Sequence, residues 1–348
     1  MSSRRSLRRR PARPLLRGLA LAVAATAGVW VGGLCVSGGA AAQDAAQSAA
    51  QGAAPPCRTA TLVVAGGAGS GTDLIARAVA AAANRAEITP LLAVRNIDGD
   101  DGIDGARAVL EAPGDGCMML AAHQGLLVNF LTWRATFAWQ DFRHVALLTR
   151  TPMALVAPVS APFEDARSLA ETARNGSVVA SVGPGTVAEF TMRAMGDAMG
   201  VDFDFDTISG ARDRVRALLA GEVALASVPT ALAKRLGETR TVRPIAVTDR
   251  EPSLLLPGTD TLRDQGIAYD YAIDLGILLP PSAPPELAAR LADDLERALD
   301  DRALRDTLAG YDVRVDFRPL TQYTIYWENL MASWREIAVE AGYERSSR

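Results

Sequence analysis

The nine residues Ala65-Gly66-Gly67-Ala68-Gly69-Ser70-Gly71-Thr72-Asp73 follow an apolar run and lead into a helical pattern. Glycines let the backbone approach a bound group closely, and amides at the head of a helix favour negative charge, so this turn suits an anion. A nucleotide is the wrong anion. Gly66, Gly71 and Thr72 stand at the spacing of a phosphate loop, but the lysine it needs is missing, and counted from Gly67 the third glycine of a dinucleotide fingerprint falls on Thr72. A small carboxylate fits better. The plain alternative is a tight turn with Asp73 in the first turn of the helix.

A second turn, Ser181-Val182-Gly183-Pro184-Gly185-Thr186, also follows a strand-like run and opens a helix reaching about Met199. Thr186 and Glu189 have capping-box spacing, so Glu189 reads as a cap rather than a base. A third turn, Ile208-Ser209-Gly210-Ala211-Arg212, precedes another helix. Its arginine has the donors to hold a carboxylate through paired hydrogen bonds, against the default of an exposed helical residue.

Catalysis finds few parts. No serine satisfies the Gly-x-Ser-x-Gly elbow, and the two histidines, His123 and His144, are too far apart for a helical metal motif. His123 follows a strand end and faces a cleft in this reading, whereas His144 is structural. An exported α/β hydrolase using Ser70 or Ser181 with His123 is the alternative function, and it lacks an assignable orienting carboxylate and oxyanion hole. No metal and no cofactor are expected.

The elements that position these turns belong to a chain of 348 residues, 49% hydrophobic and 22% charged, long enough for two ordinary domains. Seven arginines precede the first acidic residue, Asp44; without them 29 basic residues face 40 acidic ones, a formal net charge of −11. So acidic a body excludes nucleic acid as a partner. Lys234 is the only lysine, which leaves Schiff-base and phosphate-loop chemistry almost nothing to work with. The arginines, the apolar run 18–36 and Ala40-Ala41-Ala42 form an export signal, residues 1–42, with cleavage after Ala42. An uncleaved anchor is the rival reading. Ser3-Arg4-Arg5-Ser6-Leu7 leaves both the general secretory and the twin-arginine route open. Residues 43–56 are a flexible leader, too poor in large apolar side chains to offset ordering.

Export implies a disulfide-permissive compartment. Cys57 and Cys117 each stand just before a run read as a parallel strand, 60–65 and 118–122, and neighbouring strand starts lie within disulfide reach. A Cys57–Cys117 bridge is expected, against two free buried thiols. Further strands are read at 91–95, 145–158, 177–182, 223–227, 244–248 and 271–279, alternating with helices, as in an α/β fold with largely parallel strands. Leu74, Ile75, Ala78, Val79 and Ala82 mark one face of the first helix. Tyr323, Tyr326, Trp327, Leu330, Trp334 and Ile337 form a stripe on the last, read as packing on its own domain. The run 145–159 is too long for an ordinary strand and suits a crossing between two lobes, with a second crossing near 245–248. Lobe 1 is then 57–152 with 249–348, and lobe 2 is 153–248.

At these turns the sequence resembles the Bug family, the extracytoplasmic receptors of tripartite tricarboxylate transporters, from about Thr59 to Tyr343. Residues 66–77 are similar to its Pro-Ala-Gly-Gly-Gly-Ser-Asp-x-x-Ala-Arg opening, 112–120 to its Ala-Pro-Pro-Asp-Gly-Tyr segment, and 181–186 to its Ser-x-Gly-x-Gly-Ser loop. Residues 218–223, 246–248 and 276–284 resemble its Leu-Leu-x-Gly-x-Val, Ala-Val-Thr and Gly-Leu-Leu-Ala-Pro-x-Gly-x-Pro motifs in the same order. The resemblance implies a two-lobed periplasmic-binding-protein fold of the type II, venus-flytrap kind, with two mostly parallel sheets and a ligand cleft between lobes. It implies a monomeric periplasmic receptor, not an enzyme, which passes a small organic acid to membrane permease subunits or a sensor kinase. The implied ligand set is Gly67, Ser70, Thr72 and Asp73 in one lobe and Ser181, Gly185 and Thr186 in the other. His123 and Gln124 are added at a strand end, with Ser209 and Arg212 from the third turn. The acidic stretch Arg95-Asn96-Ile97-Asp98-Gly99-Asp100-Asp101-Gly102 replaces the family's Asn-Arg-Pro-Gly-Ala-Gly-Gly. A second acidic ligand group therefore needs compensation from Arg212 or His123.

Overall fold

The computed structural model describes residues 56–208 and 210–343; the expected export signal, nearly all of the leader and Ser209 lie outside them. The chain opens with β1 (Thr59–Val64), α1 (Gly71–Arg85), β2 (Leu91–Asn96), α2 (Ile103–Leu110), β3 (Met118–Ala122) and α3 (Gly125–Leu131). The 16-residue β4 (Arg143–Pro158) follows, then α4 (Ala166–Asn175), β5 (Val179–Val182), α5 (Val187–Met199), β6 (Asp204–Thr207) and α6 (Ala211–Ala220). Next come β7 (Ala226–Pro229), α7 (Thr230–Glu238), β8 (Val242–Val247), β9 (Ala272–Leu279), α8 (Pro285–Leu299), α9 (Arg302–Gly310), β10 (Arg314–Pro319) and α10 (Leu320–Glu340).

The larger sheet runs β10-β4-β9-β3-β1-β2, and β4 continues beyond it to pair with β7 and β8. Thus β4 lies against β9 over Arg143–Pro152 and against β7 and β8 from Met153 onward. Alternation explains its unbroken apolar sequence, since both faces are covered. Leu148 and Leu147 enter cores on opposite faces of the first part, as Leu155 and Val156 do in the second. The fold is of the periplasmic-binding-protein kind, α/β with a cleft between its two lobes. Its sheets are more mixed than the sequence reading had it. Strands β1, β2 and β3 are parallel, as are β5 and β6, whereas β9, β10, β7 and β8 join antiparallel.

Two strands escape the periodicity argument. β6 reads Asp-Phe-Asp-Thr and is mostly exposed, and β10 is a charged edge strand with a register shift between Val315 and Arg318. Short polar edges carry little apolar signal. On α1, Ile75 and Val79 are buried but Leu74 points outward; alanines 76, 80, 82 and 83 complete the packed face. The stripe on α10 does pack on its own body, with Tyr323, Trp327, Trp334 and Ile337 buried beside Trp139 and Phe190. His144 is structural as expected, since its ring nitrogens meet Thr324 Oγ1 at 2.8 Å and the Trp139 carbonyl at 3.1 Å. Cys57 and Cys117 are bonded, with Cα atoms 5.8 Å apart.

Where β4 leaves the larger sheet, Arg150 is enclosed by carboxylates. Its Nε donates to Asp249 at 2.8 Å, and its remaining nitrogens lie 3.4 Å from Asp274 and 3.5 Å from Asp270. Asp249 is also held by Arg314, and Asp270 by Arg250 and Arg263. Burial pushes Asp274 up to about 6 against the pull of Arg150 and Arg318, with Asp316 adding to the rise. The sign of the linkage follows. Folding favours protonated Asp274, so stability falls as pH rises from about 4 through 6, by up to about 3 kcal/mol for one proton and a two-unit shift. Asp274→Asn is expected to flatten that slope in urea unfolding measured from pH 4 to 8; an unchanged slope would place the titration elsewhere.

Candidate functional site

The first turn is built by its own residues. Ser70, in extended conformation, caps α1 by accepting from the Asp73 amide at 3.2 Å. Asp73 is buried and its carboxylate is committed, accepting from the Gly69 amide at 2.8 Å, from Asn96 Nδ2 at 3.0 Å and from Arg77 Nε at 3.1 Å. Burial raises its pKa, but the hydrogen bonds from Arg77, Gly69 and Asn96 outweigh it and hold the carboxyl below its usual range. Asn96 reaches back to the Gly66 carbonyl at 3.0 Å as well. Gly69 has φ of +79°, the left-handed region that a glycine enters without strain. Asp73 therefore shapes the turn instead of facing outward. Among the described residues the amides of Gly71 and Thr72 donate to no protein acceptor.

At the end of β3 the two neighbours diverge. His123 is partly exposed, and its Nδ1 accepts from the Gly125 amide at 3.0 Å, leaving the proton on Nε2. Burial pushes its pKa down, so the ring is a neutral donor. Gln124 is buried and used up, donating to the Ala272 carbonyl at 2.8 Å and accepting from the Asp274 amide at 3.2 Å. It fastens β3 to β9.

After β5, the second turn is stabilised differently from a capping box. Thr186 Oγ1 donates to the Gly183 carbonyl at 2.6 Å and does not cap the helix. Glu189 accepts from the Gly185 amide, one position before Thr186, at 2.8 Å, and also from Arg193 and from the Tyr343 hydroxyl. Glu189 is thus structural, as its spacing implied, by another route. Gly185, at φ of +61°, lies against Thr132 at the end of α3, which a Cβ there would meet at 3.5 Å. The amides of Val187 and Ala188 have no protein acceptor among the described residues. Ser181 alternates with core residues Ala180 and Val182, so its hydroxyl turns to the other face of β5, where it is buried without a hydrogen bond.

Arg212 is exposed on the outer face of α6. The arginine that turns inward is Arg214, which shares its face with buried Ala217 and Leu218. Its guanidinium lies against Gly183, where a Cβ would be 3.1 Å away, and donates to the Ile208 carbonyl at 3.4 Å. The three-and-four spacing from Ala217 and Leu218 was the signal in the sequence that distinguishes the two arginines. The acidic stretch after β2 is largely neutralised: Arg134 pairs with Asp101 at 2.5 Å and with Asp100 at 3.0 Å. Asp98 remains exposed with its carboxylate beside Gly67.

Among the described residues Ser70, Ser181 and His123 do not come together as a Ser–His pair. Ser70 caps its helix, Ser181 is buried on another face, and His123 bonds to Gly125, with no hydroxyl or carboxylate of the described residues on its ring. Among the described residues no cluster of three metal-ligating side chains occurs. Among the described residues there are instead two turns with unpartnered amides, one after β1 and one after β5, a neutral imidazole donor and a half-buried guanidinium.

The profile of the tripartite tricarboxylate transporter family receptors matches residues 75–342. The chain is 28% identical over 298 residues to a protein of Pseudomonas sp. (strain P51) described as UPF0065, from the tcbD–tcbE intergenic region, covering 80% of this chain and 87% of that one. Among solved structures it is similar to MatC from Rhodopseudomonas palustris with bound malate, at 25% identity and a TM-score of 0.65, covering 83% of this chain and all of that one. It also shares its fold with an R. palustris protein solved with adipate, at 24% identity and a TM-score of 0.71, covering 82% and 98% of the two chains.

Proposed function

This chain belongs to the tripartite tricarboxylate transporter receptor family, and from that premise we propose that it captures a small carboxylate in the periplasm and hands it to permease subunits or a sensor. The observation that supports the reading is a pair of turns built alike, one after β1 and one after β5. Each follows a parallel strand, opens a helix and keeps backbone amides free of protein acceptors, at Gly71 and Thr72 on one side and Val187 and Ala188 on the other. Amides so placed stabilise a carboxylate without a cationic side chain. A ligand touching both lobes favours the closed arrangement through its differential contacts, which is all that a receptor needs and involves no bond breaking. The export signal ending at Ala42 would deliver the chain to that compartment as a monomer.

Gly71→Pro tests the turn with little structural cost. Proline suits the first helical position, and Ser70 already has the extended φ of −66° and ψ of 161° that a following proline requires. The substitution deletes one amide donor, and we expect carboxylate affinity by isothermal calorimetry to fall about 10- to 100-fold with thermal stability retained. Unchanged affinity would remove this turn from the site.

A further inference from the structure

Among the described residues Arg214 is a cation without a counterion. It is half-buried, and among the described residues its guanidinium makes one hydrogen bond, the 3.4 Å contact to the Ile208 carbonyl, with no carboxylate within ion-pair distance. The neighbouring acids are engaged: Asp213 with Arg216 at 2.7 Å, Glu189 with Arg193 at 2.9 Å, and Asp100 and Asp101 with Arg134. Burial lowers its pKa, and the charge of Asp101 on the facing lobe only partly counters this. Partial desolvation of an unpaired guanidinium is unfavourable unless an anion arrives to complete it. The guanidinium lies directly on Gly183, whose missing side chain admits it, at the edge of the second turn.

We propose that Arg214 is the specificity-determining residue of the cleft, taking a second acidic group of the ligand so that the receptor selects a dicarboxylate over the matching monoacid. The inference rests on the receptor reading above. A planar guanidinium offers two parallel donors to a carboxylate and one fewer favourable pairing to an amide, so an acid and its monoamide of equal size report on it directly. The rival role for Arg214 is a latch that closes the lobes against Asp101. A latch would strengthen binding of every ligand alike.

The test uses the purified chain titrated with succinate, glutarate and adipate and with their monoamides. The wild type is expected to bind its preferred diacid at least about 10-fold more tightly than the monoamide. Arg214→Gln is expected to weaken the diacid by about 10- to 100-fold and leave the monoamide unchanged, collapsing the ratio, with Arg214→Lys intermediate. Asp101→Asn is expected to leave the ratio intact. A ratio that survives Arg214→Gln, or equal weakening of diacid and monoamide, overturns the assignment and leaves the receptor standing. Failure of the wild type to bind any member of the panel overturns both.

Discussion

Arg150→Met is expected to destabilise the protein by about 3–5 kcal/mol, a large part of the stability of an ordinary domain. The cost arises because its partners are inside the fold: Asp249 and Asp274 are 2% and 3% exposed and Asp270 is nearly buried. Asp249 retains Arg314, and Asp270 retains Arg250 and Arg263, but Asp274 loses its only ion pair among the described residues. Desolvated and unpaired, it must be protonated or reach water. The double variant Arg150→Met with Asp274→Asn should therefore recover at least about 1 kcal/mol of that loss, a coupling that additive sites would not show. Urea unfolding at pH 7.5 reads both values, and a loss under about 1 kcal/mol would mean that the network is effectively solvated.

Removing the Cys57–Cys117 bridge should cost about 4 kcal/mol. The two cysteines are 60 residues apart, and cross-linking a loop of that length restricts the unfolded chain strongly. The bridge ties the starts of β1 and β3, opposite the ends that carry the Gly67 turn and His123, where the Thr61 amide also bonds to the Cys117 carbonyl at 2.8 Å. Stability and binding should therefore separate. The Cys57→Ala, Cys117→Ala variant is expected to melt markedly lower and to keep its carboxylate affinity within about 3-fold, well below the loss of one charged hydrogen bond. Lost affinity in a folded variant would show that the strand starts and the cleft are coupled.

Features set by local chemistry were legible in the sequence. The glycine turn, the cysteine pair and the two-sided apolar run of β4 each announce themselves within a few residues, and each stands where it was read. What the sequence hid depends on partners far along the chain. Gln124 looks like a polar side chain at a strand end, but its partners, Ala272 and Asp274, are 148 and 150 residues away. Asp73 is an ordinary first-turn acid until Asn96 and Gly69 converge on it. Arg212 and Arg214 differ by two positions and thus by slightly more than half a turn of helix, which puts Arg214 and not Arg212 on the packed face of α6. β6 and β10 were hidden for the opposite reason, since their polar residues meet solvent on one side. No apolar alternation is required of them.

The central claim is that the cleft holds a small carboxylate and returns it unchanged. Native mass spectrometry of the purified chain, loaded with an equimolar mixture of four- to six-carbon acids and then denatured to release what it holds, tests this most directly. The account predicts one acid per chain, recovered with its original mass. Retention of no acid from the mixture, or release of a product that differs from the acid loaded, would contradict it.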